Sequence, residues 1–209
     1  MLNDIKVLCH SSIKITKEKT IYIDPFKIEE KYHDADLIFI THDHYDHYSE
    51  VDINRVRKDS TIIIVPESLY KKAKLNNFKE DKIMVVDPGE TDTIDDIVFE
   101  TIPAYNTNKE YHPKQNNWIG YILELDGIRY YIAGDTDITE ESKKVICDVA
   151  FVPVGGTYTM DAKEAAELVN EIKPKIAVPI HYGNVVGTED DAKEFIKLLD
   201  SDIEGKILM

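Results

Sequence analysis

Thr41-His42-Asp43-His44-Tyr45-Asp46-His47 directly follows the apolar run Leu37-Ile38-Phe39-Ile40 and holds three of the chain's 7 histidines. Imidazole nitrogen and carboxylate oxygen are the ligands that Zn²⁺ and its divalent neighbours prefer. Alternate side chains on an extended segment point to the same side, so His42 and His44 can share one ion. Asp46 and His47, adjacent on a tight bend, can share another. The spacing predicts a two-metal cradle rather than one closed structural site, with Asp43 and Tyr45 pointing away or capping. A His-rich surface loop is the plainer alternative, but such a loop has no reason to collect histidines at the end of a buried strand.

Two more ligand candidates follow apolar strands. Asp135 comes after the strand ending at Ala133-Gly134, and His181 after the strand ending at Ile180. If those strand ends share one edge with the end at Ile40, all three residues project into a common crevice, where sheets of this kind collect ligands. The competing readings are a turn carboxylate for Asp135 and a packed histidine for His181. Gly155-Gly156-Thr157-Tyr158 follows another strand end. Its glycines permit close backbone approach to a ligand, which makes Tyr158 a candidate substrate contact; a simple strand–helix connection is the alternative.

Period-2 alternation over 12–16 and 20–23 predicts half-buried antiparallel strands. The continuous apolar runs 37–40 and 62–65 read as central strands. Pro66-Glu67-Ser68 opens a short helix through about Leu75. β character returns near Asp95-Asp96 and runs from Ile97 to Pro103. Trp118–Leu125 and Ile128–Ala133 flank Asp126-Gly127, a two-residue type I′ hairpin signal. Beyond it come a strand over 149–154, a capped amphipathic helix over 161–172, a strand over 175–180 and a helix over 190–199. The polar segment 106–117 is the one long insertion, and long loops in compact domains tend to be functional or mobile. Hairpins followed by βα units, twice over, predict two mixed sheets with helices outside, in one domain spanning 1–209.

The chain has 209 residues, 43% of them hydrophobic, and no apolar stretch long enough to span a bilayer. Its N-terminus lacks the features of a secretory signal, so a cytoplasmic, membrane-free protein is expected. Cys9 and Cys147 form no metal-spaced pair and read as partly buried free thiols. A ligand role for Cys9 has only its neighbour His10 in its favour. Charged residues at 31% and a single glutamine, Gln115, lean toward a thermophilic source. A net charge of −15 argues against long nucleic acid, which is held through a cationic surface. The expected partner is a small-molecule substrate; nothing in the residues specifies oligomeric state.

H-x-H-x-D-H after a hydrophobic strand resembles the signature of the metallo-β-lactamase-fold hydrolases. The resemblance continues through Ala133-Gly134-Asp135-Thr136-Asp137 and Val178-Pro179-Ile180-His181-Tyr182-Gly183. It is closest to small stand-alone members similar to the ascorbate-6-phosphate lactonase branch, which often carry the Pro-Val-Gly-Gly-Thr-Tyr-Thr-Met-Asp stretch found at 153–161. The resemblance implies an α/β, four-layer αββα sandwich and a metal-dependent hydrolase. The family usually places the third histidine of its first metal site after Pro-Gly or Pro-Ala; here Pro103-Ala104 is followed by Tyr105. His112, which Pro113 keeps extended, is the favoured replacement. His10 is its competitor, as ligand, substrate donor or outer-shell group.

The expected metal set is therefore His42, His44, Asp46, His47, His112, Asp135 and His181, with Asp46 and Asp135 as catalytic carboxylates and His10, Tyr105 and Tyr158 as substrate contacts. Two divalent ions about 3.5–4 Å apart share a water and lower its pKa to about 7, yielding hydroxide that attacks a polarised carbonyl. Asp135, with two oxygens, is the natural bridge between them. Zn²⁺ is the first choice, with Mn²⁺ and Fe²⁺ also suited to N/O ligands. His44 stands where the iron-binding variant of the motif carries Glu. The expected substrate is a lactone, ester, thioester or amide. The alternatives are a phosphodiesterase or nuclease, for which Lys109 and Lys114 could hold a phosphate, and a metal-binding protein without activity.

Overall fold

The computed structural model describes residues 1–209. The chain divides into two compact units, Met1–Asp87 with Met209, and Pro88–Leu208.

The first unit is a six-stranded mixed sheet with its strands in chain order. β1 (Ile5–Cys9), β2 (Ser12–Thr16) and β3 (Thr20–Ile23) form an antiparallel meander; β4 (Ala35–Phe39), β5 (Arg57–Pro66) and β6 (Ile83–Val86) extend it in parallel. Helix α1 (Glu50–Val56) connects β4 to β5, and α2 (Tyr70–Leu75) connects β5 to β6. Alternate residues of a strand face one side, so Ile38, Ile40, Ile63 and Val65 present one apolar surface. Ile53 and Val56 of α1, then Leu69, Ala73 and Phe78, cover it. Leu37, Ile38, Phe39 and Ile40 are wholly buried, as expected of a central strand.

Helix α1 is absent from the sequence reading. Its signal is Ser49 followed three residues later by Asp52, whose backbone N–H the Ser49 side chain accepts as N-cap. The Asp52 carboxylate in turn accepts the N–H groups of Lys27 and Ile28. β5 starts five residues earlier than its apolar run. Its polar first half, Arg57 to Thr61, has no alternation to betray it, and Thr61 is held by its hydroxyl on the Ala35 carbonyl.

The second unit repeats the plan. β7 (Thr91–Ile94), β8 (Ile97–Pro103), β9 (Ile119–Leu125) and β10 (Ile128–Ile132) are antiparallel neighbours. β11 (Val149–Pro153), β12 (Ile176–Ile180) and the short β13 (Glu204–Gly205) follow in parallel. Asp126 and Gly127 have φ of 53° and 71°, and Asp95 and Asp96 have 47° and 66°. Both hairpin turns thus take the left-handed pair that a type I′ turn requires. α3 (Ala162–Ile172) starts in the expected Asp161/Glu164 capping box, and α4 (Glu189–Lys197) in a second one formed by Thr188 and Asp191. Ala165, Leu168 and Val169 of α3 and Phe195 of α4 cover Ala150, Val152 and Ala177. No helix is long and apolar enough to cross a membrane.

Candidate functional site

In the first unit the 41–47 segment leaves β4 and doubles back: the N–H groups of His47 and Tyr48 both reach the His44 carbonyl. Because β3 and β4 are parallel neighbours, their C-terminal ends adjoin, and Asp24 beyond β3 meets Thr41 beyond β4. Asp24 is buried at φ 45°. Its carboxylate accepts the Thr41 N–H at 2.9 Å and the Thr41 hydroxyl at 2.6 Å, and stands 2.7 Å from His47 Nδ1.

This network sets the imidazoles. Since Thr41 gives its hydroxyl hydrogen to Asp24, its oxygen accepts from His42 Nδ1, 3.0 Å away. Protons held on Nδ1 of His42 and His47 leave Nε2 of each ring as the lone-pair nitrogen. His42 Nε2 then faces His44 Nδ1 at 3.1 Å, a spacing that one shared cation or one shared proton satisfies. Asp46 Oδ2 lies 3.7 Å from His47 Nε2 and 3.4 Å from Nε2 of His10, a fully buried residue at φ 57° on the β1–β2 turn. Asp43 turns away to Lys72, and Tyr45 is exposed, as the spacing predicted for both.

In the second unit the ligand candidates come from separate elements. β10 and β12 flank β11 in parallel, which places Asp135, past β10, beside His181, past β12. His181 Nε2 is 3.0 Å from Asp135 Oδ2, and His112 Nε2 is 3.2 Å from the same oxygen. All three are buried. His112 belongs to the long insertion, which is an ordered cradle. The His112 N–H reaches Asn106 Oδ1 at 2.9 Å, and the Asn106 N–H reaches the His112 carbonyl at 2.7 Å. His112 Nδ1 stands 3.1 Å from Asn106 Oδ1 and 3.2 Å from the Tyr158 carbonyl, while Asn106 Nδ2 donates to that same carbonyl. Asp137 ties the loop down by accepting the N–H groups of Thr107 and Asn108 and the Lys109 ammonium. Each unit thereby brings His and Asp donors close to one another, of the N/O type that fits zinc-like cations.

Tyr158 contributes its carbonyl to His112, and its ring meets Tyr111 edge-on at 4.7 Å. Tyr105 gives its hydroxyl hydrogen to Glu141 at 2.8 Å and accepts from Lys114 at 3.1 Å. Burial and the Glu141 carboxylate push Tyr105 up. Glu141, which burial alone would raise, is held below the usual carboxylate range by Lys114 and Tyr105. Lys109 and Lys114 are thus both ion-paired, with Asp137 and Glu141 respectively.

What approaches closely at Gly155 is the chain itself: a Cβ there would collide with the His181 carbonyl oxygen and come within 2.9 Å of Val186 Cγ1. His33 is exposed, as expected. Cys9 and Cys147 are not joined in a disulfide and are partly buried, and burial pushes the Cys147 thiol up to about 12. Asp24, Thr41 and Asn106 are the functional residues that sequence reasoning missed. Thr41 heads the quoted motif, and Asp24 ends a buried strand, but what each side chain holds depends on strand pairing that no local pattern encodes.

Residues 4–181 match the beta-lactamase superfamily domain family. A UPF0173 metal-dependent hydrolase of Pyrococcus horikoshii is 31% identical over 218 residues, covering 98% of this chain and 95% of the relative. A crystal structure from Parabacteroides distasonis, of a protein assigned as a metal-dependent hydrolase, is 37% identical at a TM-score of 0.85, covering 98% of this chain and 91% of that one. A metallo hydrolase from Ignicoccus hospitalis shares the fold at a TM-score of 0.79 and 23% identity, covering 97% and 93% of the two chains. The α/β metallo-β-lactamase fold expected from the 41–47 motif is the fold of the chain. With this extent of matched sequence, the protein belongs to the beta-lactamase superfamily domain family, among its UPF0173 metal-dependent hydrolases.

Proposed function

We propose that the protein hydrolyses a lactone, ester, thioester or amide of a small molecule, with two divalent ions, Zn²⁺ first among them, held by His42, His44, Asp46, His47, His112, Asp135 and His181. The observation that carries this reading is the orientation of the imidazoles. Asp24 and Thr41 anchor the outer nitrogens of His47 and His42, and Asn106 with the Tyr158 carbonyl anchors that of His112. The opposite nitrogens face further ligand atoms, at 3.1 Å for His42, 3.2 Å for His112 and 3.7 Å for His47. Histidines that merely pack have no need of such anchoring, whereas metal ligands regularly have it.

Bound divalent ions supply a Lewis acid and lower the pKa of a water. The chain supplies the rest. Asp46 and Asp135 offset the charge of the ions and can accept a hydrogen bond from the attacking water. Asp137 and Asn106 hold the 106–117 loop that delivers His112. The contact of His112 with Asp135 supports His112 over His10 as the remaining ligand, leaving His10, beside Asp46, as an outer-shell or substrate group. Ion pairing of Lys109 and Lys114 leaves no cation of that loop waiting for a phosphodiester, which favours carbonyl substrates. A cytoplasmic setting is part of this reading and agrees with two cysteines that form no disulfide.

Elemental analysis after zinc reconstitution is expected to give two ions per chain. His112→Ala should lose at least one of them, and His10→Ala should keep both. The loaded protein should hydrolyse members of a lactone and thioester panel and fall silent with a chelator. A ceiling of one ion, or turnover of phosphodiesters alone, would overturn the reading.

A further inference from the structure

The chain carries 40 Asp and Glu against 25 Lys and Arg, but the imbalance is uneven. Met1–Asp87 holds 14 basic and 16 acidic residues, whereas Pro88–Leu208 holds 11 and 24. Within the first unit, folding gathers basic residues that are dispersed in sequence. Arg57, Lys58, Lys79 and Lys82 line one cavity of about 510 Å³, together with His33, Asn54 and Phe78. Thr61, Asn77 and one carboxylate, Asp59, complete it.

The site lies at the N-terminal ends of β4, β5 and β6, where Arg57 and Ile83 begin their strands. The 41–47 segment leaves the opposite end of β4, roughly 17 Å away at about 3.3 Å per residue.

Three features distinguish this cavity from an ordinary solvated surface. Lys58 is paired with Asp36 at 2.6 Å, but Arg57, Lys79 and Lys82 have no carboxylate partner in a chain rich in carboxylates. Arg57 lies with its guanidinium 4.7 Å from the centre of the buried Phe78 ring. That stacking holds the planar fork in one orientation and lowers the cost of ordering it on a ligand. The third feature is size, since the volume falls within the range of about 300–1,000 Å³ typical of small-molecule sites. Cations are also favoured at helix C-termini, which accounts for Arg57 at the end of α1. It does not account for Lys82, which caps no α-helix, or for the recess between them.

We propose that this cavity binds a phosphate-bearing small molecule of about nucleotide size. Guanidinium and ammonium groups pair with phosphate oxygens through charge-assisted hydrogen bonds, and Arg matches their planar spacing. Asn54 and Asn77 add neutral polar lining to the same cavity.

The test is titration of the full chain with inorganic pyrophosphate, followed by backbone amide NMR. Saturable shifts should concentrate at residues 54–61 and 77–82. Lys79→Ala/Lys82→Ala, at exposed or half-exposed positions that folding does not need, should weaken binding at least tenfold, and so should Arg57→Gln. The control Lys71→Ala/Lys74→Ala, which removes the same charge from α2, should leave affinity within twofold. Citrate, a polyanion without phosphate geometry, should bind at least tenfold more weakly. Shifts confined to the 41–47 segment, an absence of saturation, or equal losses in the two double variants would overturn the site. Equal affinity for citrate would overturn the phosphate class.

Discussion

The two units supply metal-ligand candidates in opposite ways. The first takes His42, His44, Asp46 and His47 from a single turn, and one buried carboxylate outside that turn, Asp24, anchors His47 directly and His42 through Thr41. The second takes His112, Asp135 and His181 from three separate connections, and its anchors are neutral, the Asn106 amide and the Tyr158 carbonyl. A compact donor set can tolerate the loss of one member, because its neighbours are held by the same turn. In a dispersed set, one residue has to be where the others meet. Here that residue is Asp135, whose Oδ2 lies within 3.2 Å of both histidines.

The largest effect therefore belongs to Asp135→Asn. The isosteric amide keeps the shape and removes the charge that offsets the cations. Hydrolysis should fall by more than about 100-fold, beyond the 10–100-fold range of outer-shell changes. Zinc content should drop toward one ion per chain while the circular dichroism spectrum stays native. His44→Ala should cost less. The comparison breaks if His44→Ala is the more damaging of the two, or if Asp135→Asn keeps both ions and full turnover, which would leave Asp135 a turn residue.

A smaller effect separates the anchors. Asp24→Asn leaves one acceptor oxygen where donors arrive at two: His47 Nδ1 and the Thr41 hydroxyl at Oδ2, and the Thr41 N–H at Oδ1. Zinc affinity should fall by about 10–100-fold. Asn106→Ala removes a neutral anchor while the Tyr158 carbonyl still faces His112 Nδ1, so a loss nearer tenfold is expected. Competition against a fluorescent zinc chelator measures both. Equal losses would show that the charge on Asp24 matters no more than the position of its oxygens.

The same contrast explains what could be read in the sequence. Donors in one turn sit within a window where spacing carries meaning, and His42, His44, Asp46 and His47 were legible at once. Asp135 and His181 were legible only as polar residues ending apolar strands; their meeting depends on β10 and β12 flanking β11. Asp24, beside Pro25, carries no local signal of its role, because its partner Thr41 is 17 residues away and reached only through β3–β4 pairing. The basic cavity was invisible for a related reason: Arg57, Lys79 and Lys82 form no run. Strands with clear alternation or long apolar runs emerged where expected, while α1 and the polar half of β5 are held by side-chain caps and pairing that periodicity does not register.

The smallest expected effect concerns Tyr105, which stands where the family usually places a histidine. Its hydroxyl lies between Glu141 and Lys114 on the partly exposed side of the second unit. Tyr105→Phe should lower the melting temperature at neutral pH by less than about 2 °C, since ion pairs and hydrogen bonds this exposed contribute little. The sign of the pH dependence follows from the shifts. Glu141 is held below the usual carboxylate range in the folded chain, so its contribution is present above its unfolded value and is lost as pH falls through the lowered one. Tyr105 is raised, so its contribution is present at neutral pH and is lost as pH rises through the raised value. The difference between native protein and Tyr105→Phe should therefore be widest near neutrality and narrow toward both acid and alkali. Zinc content should not change, because the hydroxyl is committed to Glu141 rather than to the donors around Asp135. A clear fall in turnover with unchanged metal content and stability would instead make Tyr105 a substrate contact. A fall in zinc content would give the tyrosine the ligand role assigned to His112.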